Sequence, residues 1–199
     1  MKLIEATKIA RSVVERLRDN CDTIRIAGSV RRLKSECGDI EIVCLPKLSN
    51  DGKIVADPEL FGTSKTKVSE WRHPAFISAV NALGSIKKGK PAFGRYVQIW
   101  LPEGIQLDLF IPQAHDYYRQ FAIRTGSADF TKQHIANRWV MKGWRGTEDG
   151  LRLEKECTYQ GGKWHCDLEN PTLPPAWETE EEFFKWLGVP YVQPERRNL

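Results

Sequence analysis

Three carboxylates in this 199-residue chain stand among apolar neighbours, where a charge needs a reason. Asp39 and Glu41 lie two apart in DIEIVCL (39–45), an alternating, β-rich run. A strand would project both from one face about 7 Å apart and turn Ile40 and Ile42 into the core. Two like charges so placed are costly unless a cation neutralises them. Mg²⁺ takes oxygen ligands, typically a few carboxylates together with substrate phosphates. Asp108, in QLDLF, is the lone charge of a second apolar run. If strand 105–111 pairs beside strand 39–45, all three carboxylates converge on one metal site. Upstream, Gly28 permits a close backbone approach to phosphate, and Ser29 offers an N–H and a hydroxyl. Arg31 and Arg32 follow; Arg31 reads as structural, whereas Arg32 can fork onto triphosphate oxygens. These residue types describe phosphoryl transfer, with cations and donors around a triphosphate. The competing readings are a strand–turn–strand with solvated charges, and an Asp108 salt-bridged at the edge of a core.

The elements that must position these groups read as an α/β (α+β) chain with a mixed sheet. Ile9, Val13, Val14 and Leu17 recur at helical spacing, so 4–19 is predicted to be a helix. Residues 23–28 and 39–45 are strands, 46–73 a long polar loop, and 74–83 a helix. Strands 95–101 and 105–111 are joined by Pro102-Glu103-Gly104, a hairpin signal. After Pro112 the pattern turns helical, over 113–123 and 127–142, with Thr125-Gly126 between them and Gly143 as the stop. Short strands and turns fill 144–170. Thr179 caps a last helix, with Glu182 completing a capping box. The division expected is a mixed sheet with helices over 1–112 and a smaller α+β lobe over 113–199.

Bulk properties narrow the setting. Net charge is +4, and it is unevenly spread. Residues 1–112 hold 18 basic against 13 acidic side chains, whereas 113–199 hold 12 against 13. Basic surface around an acidic centre suits a polyanionic substrate, and it also serves plain solubility. No run approaches the roughly 20 apolar residues of a membrane span. The charged amphipathic N-terminus is no signal peptide. Five cysteines without a Cys-x-x-Cys pair point to a reduced, intracellular, cytoplasmic setting. The spacing of Cys157, His165 and Cys166 is wrong for common zinc sites. Lys132, His134 and Arg138 form a polar helix stripe, either a solvated face or a DNA contact. The tryptophans after residue 138 read as core.

Gly28-Ser29, nine residues, then Asp39-Ile40-Glu41-Ile42 resembles the polymerase-beta superfamily signature. GSVRR…GDIEIV, LDLFIP, Thr125-Gly126-Ser127 and LGVPYVQPERR (187–197) narrow the resemblance to the palm and thumb of family X DNA polymerases. The resemblance implies a template-directed, gap-filling polymerase that acts in DNA repair, transferring a nucleoside monophosphate from a dNTP to a primer 3′-hydroxyl. It implies two Mg²⁺ ions, with Mn²⁺ able to substitute, bound by Asp39, Glu41 and Asp108, and Asp108 as acceptor of the hydroxyl proton. Gly28, Ser29, Arg32 and Gly38 would hold the triphosphate. Thr125-Gly126 would lie beneath the incoming sugar and base, with Ile123 and Arg124 where the family usually has an aromatic pair, and Lys132 near the template. The partners implied are gapped or primer–template DNA and nucleoside triphosphates, with no membrane, and the chain is expected to be a monomer. It matches neither the lyase domain nor the fingers of larger members. The rivals are a nucleotidyltransferase with an RNA, protein or small-molecule acceptor, and a catalytically idle nucleic-acid-binding module.

Overall fold

The computed structural model describes residues 1–49 and 72–198. The chain opens with helix α1 (Leu3–Arg18), which buries Ala6, Ile9, Ala10, Val13 and Leu17 along one stripe. Strand β1 (Cys21–Ile26), a helical turn α2 (Gly28–Arg31) and strand β2 (Asp39–Pro46) follow. Helix α3 (Pro74–Asn81) and strands β3 (Ser85–Lys90), β4 (Phe93–Trp100) and β5 (Gln106–Phe110) complete the first lobe. The predicted loop at 46–73 falls almost wholly outside the described residues.

The five strands form one sheet in the order β1-β2-β5-β4-β3. Its central pair, β2 and β5, runs parallel, and the other neighbours run antiparallel. Strict alternation divides each strand between two faces. Ile40, Ile42, Cys44, Val97, Ile99, Leu107 and Leu109 face α1 and α3 in the main core. The polar residues of the same strands are thereby turned to the opposite face. Strand β3 is an addition to the expected elements, because SIKKGK shows no apolar alternation. It is an edge strand with exposed lysines, held to β4 through two register irregularities.

A 3₁₀ turn (Ala114–Asp116) leads into α4 (Tyr117–Thr125), which lies over the polar face of the sheet. Ala27, Val43, Phe110, Tyr117 and Phe121 form the apolar seam there. Thr125 is the last residue of this helix rather than part of the expected turn. The helix predicted at 127–142 is continuous but not uniform: α5 (Ala128–Phe130), a π segment (Thr131–Ala136) and α6 (Asn137–Met141). Strands β6 (Trp144–Thr147), β7 (Gly150–Leu153), β8 (Thr158–Gln160) and β9 (Lys163–His165) make a second sheet, β7-β6-β9-β8. Helix α7 (Glu180–Leu187) packs Phe183, Phe184 and Leu187 against Trp139, Leu151 and Trp177 in this lobe's own core. Thr179 caps α7 by accepting from the Glu182 N–H at 3.1 Å. The Glu182 carboxylate accepts from Glu178 N–H, one residue earlier than a capping box would place it. Among the described residues, no helix is long and apolar enough to cross a membrane.

Candidate active site

Parallel pairing of β2 with β5 puts Asp39 opposite Gln106 and Glu41 opposite Asp108. All four side chains therefore rise from the face away from the main core, as the alternation in sequence requires. Burial, then the Asp108 charge, raises the Asp39 carboxyl above its ordinary value. Burial and the Asp39 charge push Glu41 up to about 7, against opposing pulls from Arg124 and Arg32. Each shift records burial first and then crowded negative charge at the floor of the site.

Asp108 is held from its own sheet. Its Oδ1 accepts from Tyr96 Oη at 2.8 Å and from Gln106 Nε2 at 2.9 Å. Gln98 Nε2 donates to Tyr96 Oη at 2.9 Å and lies 3.5 Å from the same Oδ1. These bonds leave Oδ2 as the oxygen they do not engage. Burial and then the bond to Asp108 push the Tyr96 phenol up to about 12, so it stays a donor. Tyr96, Gln98 and Gln106 do not stand out in the sequence. The signal that marks them is period-2 spacing: Tyr96 and Gln98 share a face of β4, and Gln106 and Asp108 share a face of β5.

The carboxylates line one face but do not form a ready-made cage. Among the described residues, no three acidic, histidine or cysteine side chains come together as a metal site. The condition set for convergence, pairing of the two strands, is met: β2 lies beside β5, and Asp108 is held there by Tyr96 from β4 and by Gln106 from its own strand. The donor set nonetheless suits Mg²⁺, being all oxygen and short of positive charge. A second observation agrees. The Ser29 hydroxyl is buried without a hydrogen-bond partner, an orphan of the kind an anionic ligand satisfies.

Gly28 has φ +62°, and a Cβ there would overlap the Glu41 carboxylate. Glycine is thus required twice, by conformation and by contact. Gly38 carries no such demand; a side chain there would meet open space. Arg32 reaches across to the second lobe, donating from Nη1 to the Thr125 carbonyl at 2.7 Å and from Nε to Asn198 Oδ1 at 2.8 Å. Burial lowers its pKa, opposed by Glu41 and Asp39. Arg124 lies with its guanidinium 3.9 Å over the Phe110 ring, and its Nε is buried without a partner. Burial lowers its pKa too, while Glu41 and then Asp108 raise it. Ile123, its neighbour, instead packs against the second lobe's core. Gly126 is extended, and a Cβ there would crowd Thr131 and Phe130. Lys132 is exposed on the π segment.

Sequence reasoning also misses the fastening between the lobes. Glu180 accepts from Arg197 at 2.6 and 3.0 Å and from Arg31 at 3.0 and 2.8 Å. Arg31 also donates to Thr125 Oγ1 at 2.7 Å and stacks 3.9 Å over Phe121. Tyr191 Oη adds a bond to Glu180 at 3.1 Å. Burial alone would raise the Glu180 carboxyl, but Arg197 and Arg31 together hold it below its ordinary value. Arg31 is thus structural, as its position after the glycine turn suggests. On the other side of the site, a cavity of about 420 Å³ is bordered by Tyr96, Asp108, Phe110 and Arg124. Arg95 and Asp149, 2.6 Å apart, bridge the lobes there.

Residues 121–198 match the family model of the DNA polymerase beta thumb. Among solved structures, the ternary P/T complex of Leishmania infantum polymerase beta superposes with a TM-score of 0.62 at 18% identity. That alignment covers all of this chain and 77% of the other. The ternary gap complex of the same polymerase gives 0.64 at 19%, covering 99% and 70%. No curated protein matches the chain by sequence. The chain therefore has a polymerase beta-like fold, a mixed sheet with helices followed by a lobe that matches the polymerase beta thumb.

Proposed function

We propose that the chain is a metal-dependent, template-directed DNA polymerase, adding nucleoside monophosphates from dNTPs to a primer 3′-hydroxyl and filling short gaps in DNA repair. The observation that carries this reading is the register of β2 against β5, which sets Asp39, Glu41 and Asp108 on one sheet face beside the Gly28-Ser29 turn. The thumb match at 121–198 supports nucleic acid as the partner, since the similar solved structures are primer–template and gap complexes.

In this reading Asp39, Glu41 and Asp108 hold Mg²⁺, or Mn²⁺ in its place. Bound there, the metal supplies positive charge for the triphosphate and for the charge that develops during transfer. Asp108 takes the proton of the attacking hydroxyl, oriented for it by Tyr96 and Gln106. Ser29 donates its unpartnered hydroxyl to a phosphate oxygen, and Arg32 exchanges its Thr125 and Asn198 contacts for the triphosphate. Gly28 keeps the turn close to Glu41, while Gly38 leaves the approach to Asp39 open. Thr125 and Gly126 form the platform for the sugar and base, and Lys132 meets DNA beyond it.

A one-nucleotide gap incubated with each dNTP singly, in Mg²⁺ and in Mn²⁺, tests the reading. Addition of only the complementary nucleotide supports it; addition without regard to template overturns it. A second reading, transfer to another acceptor, is favoured by Arg124 at the sugar side. The same assay run with matched ribonucleotides reads what Arg124 does at the sugar. Arg124 can donate to a 2′-hydroxyl, so a deoxy preference well below that of an aromatic-bearing polymerase is expected. A deoxy preference as strong as that of an aromatic-bearing polymerase would remove the support for this second reading.

A further inference from the structure

Cys157 and Cys166 are separated by eight residues that fold back on themselves as the β8–β9 hairpin. The register is Thr158 opposite His165, Tyr159 opposite Trp164 and Gln160 opposite Lys163, around a Gly161-Gly162 turn with both φ positive. One step outward, the same register sets Cys157 opposite Cys166. Cys157 keeps an extended backbone, φ −116° and ψ 155°, so the strand direction persists to that residue. Its N–H is taken by the Glu154 carbonyl at 3.0 Å, which leaves the cysteines as a pair without mutual backbone bonds. Side chains approach most closely at such positions. Opposed Cα atoms in an antiparallel pair lie about 4.5–5.5 Å apart, inside the roughly 4.4–6.8 Å that a disulfide spans. The Cys166 thiol is within hydrogen-bonding reach of the Cys157 thiol, and both residues are partly exposed. A metal centre does not account for the pair, since among the described residues no third ligand completes a site.

We propose that Cys157 and Cys166 form a reversible disulfide that staples the β8–β9 hairpin, written and erased by exchange with small-molecule disulfides and thiols. One thiolate attacks the S–S bond of the reagent RSSR, expelling RS⁻ and leaving a mixed disulfide. The neighbouring thiolate then attacks the protein sulfur of that bond and expels the second RS⁻. The two cysteines lose two electrons and two protons, and the reagent is reduced to two RSH. The bond closes a ten-residue loop. Thr172 is already tied to Glu156, the residue beside Cys157, by bonds of 2.9 and 2.6 Å. The staple therefore fixes the segment leading to α7 at a second point. Burial and the Cys166 sulfur push the Cys157 thiol up, so exchange quickens as pH rises.

The test uses the full chain equilibrated with oxidised glutathione, denatured in excess iodoacetamide and weighed intact. Three alkylated cysteines out of the five, with a 157–166 cross-linked peptide, is the expected result. Prior reduction should restore five. Cys157→Ser should abolish the internal bond and leave Cys166 free or glutathionylated. Five alkylated thiols after oxidation, glutathione retained on both cysteines of the wild type, or a bond between the buried Cys21 and Cys44 would each overturn the proposal.

Discussion

Glu41 concentrates the electrostatic problem of the site in one side chain. Its ordinary pKa is 4.5, and in the folded protein it is about 7. The folded state thus binds this proton more tightly than the unfolded state does. Its contribution to stability is fully present below about pH 4.5 and is lost as pH rises through about 7. Part of the shift is screened by solvent, so the loss is expected to be about 1–2 kcal/mol. Urea unfolding in chelator across this window should show it as the difference between wild type and Glu41→Gln. A difference that does not change with pH would contradict the assignment. The carboxylates are legible in sequence because a charge alternating with Ile and Leu has one structural meaning. The groups that aim Asp108 are not, because Gln and Tyr in strands are unremarkable until pairing sets Tyr96 and Gln106 on either side of it.

Among the elements, the seam between α2, α4 and α7 decides how the lobes are held. Arg197 is fully buried, and Glu180 is the carboxylate facing it. Glu180→Ala leaves that guanidinium buried and unpaired, a loss of about 3–5 kcal/mol. Arg31→Ala leaves the Glu180–Arg197 pair intact and should cost less, about 1–3 kcal/mol. Equal and small losses in urea unfolding, below about 1 kcal/mol, would show that the network is not what joins the lobes. Nothing local in the sequence marks these residues as partners, since Arg31 and Glu180 are 149 positions apart. The helices, by contrast, are legible from spacing alone: Ile9, Val13 and Leu17 do lie on the buried stripe of α1. Strand β3 escapes sequence reasoning because an edge strand can be polar throughout and still be held by its neighbour.

On the scale of the whole molecule, the basic excess of the first 112 residues has a visible location. Lys87, Lys88 and Lys90 are exposed on β3, and Lys88 and Arg95 border the cavity beside Asp108. Neutralising the three lysines should weaken binding of gapped DNA. It should also flatten the salt dependence, by a slope of about 0.9 for each phosphate that the protein no longer neutralises. Nucleotide binding should fall less than DNA binding does. A variant with the wild-type salt slope would move the DNA path off this edge. The central claim is that the sheet face bearing Asp39, Glu41 and Asp108 performs nucleotidyl transfer. Single-turnover insertion into gapped DNA with Mg²⁺, comparing wild type with Asp108→Asn, tests it most directly. The account predicts templated insertion by wild type and a reduction of at least about a hundredfold in the variant, with DNA and dNTP binding retained. Insertion by Asp108→Asn at near the wild-type rate, or none by wild type in either Mg²⁺ or Mn²⁺, would contradict it.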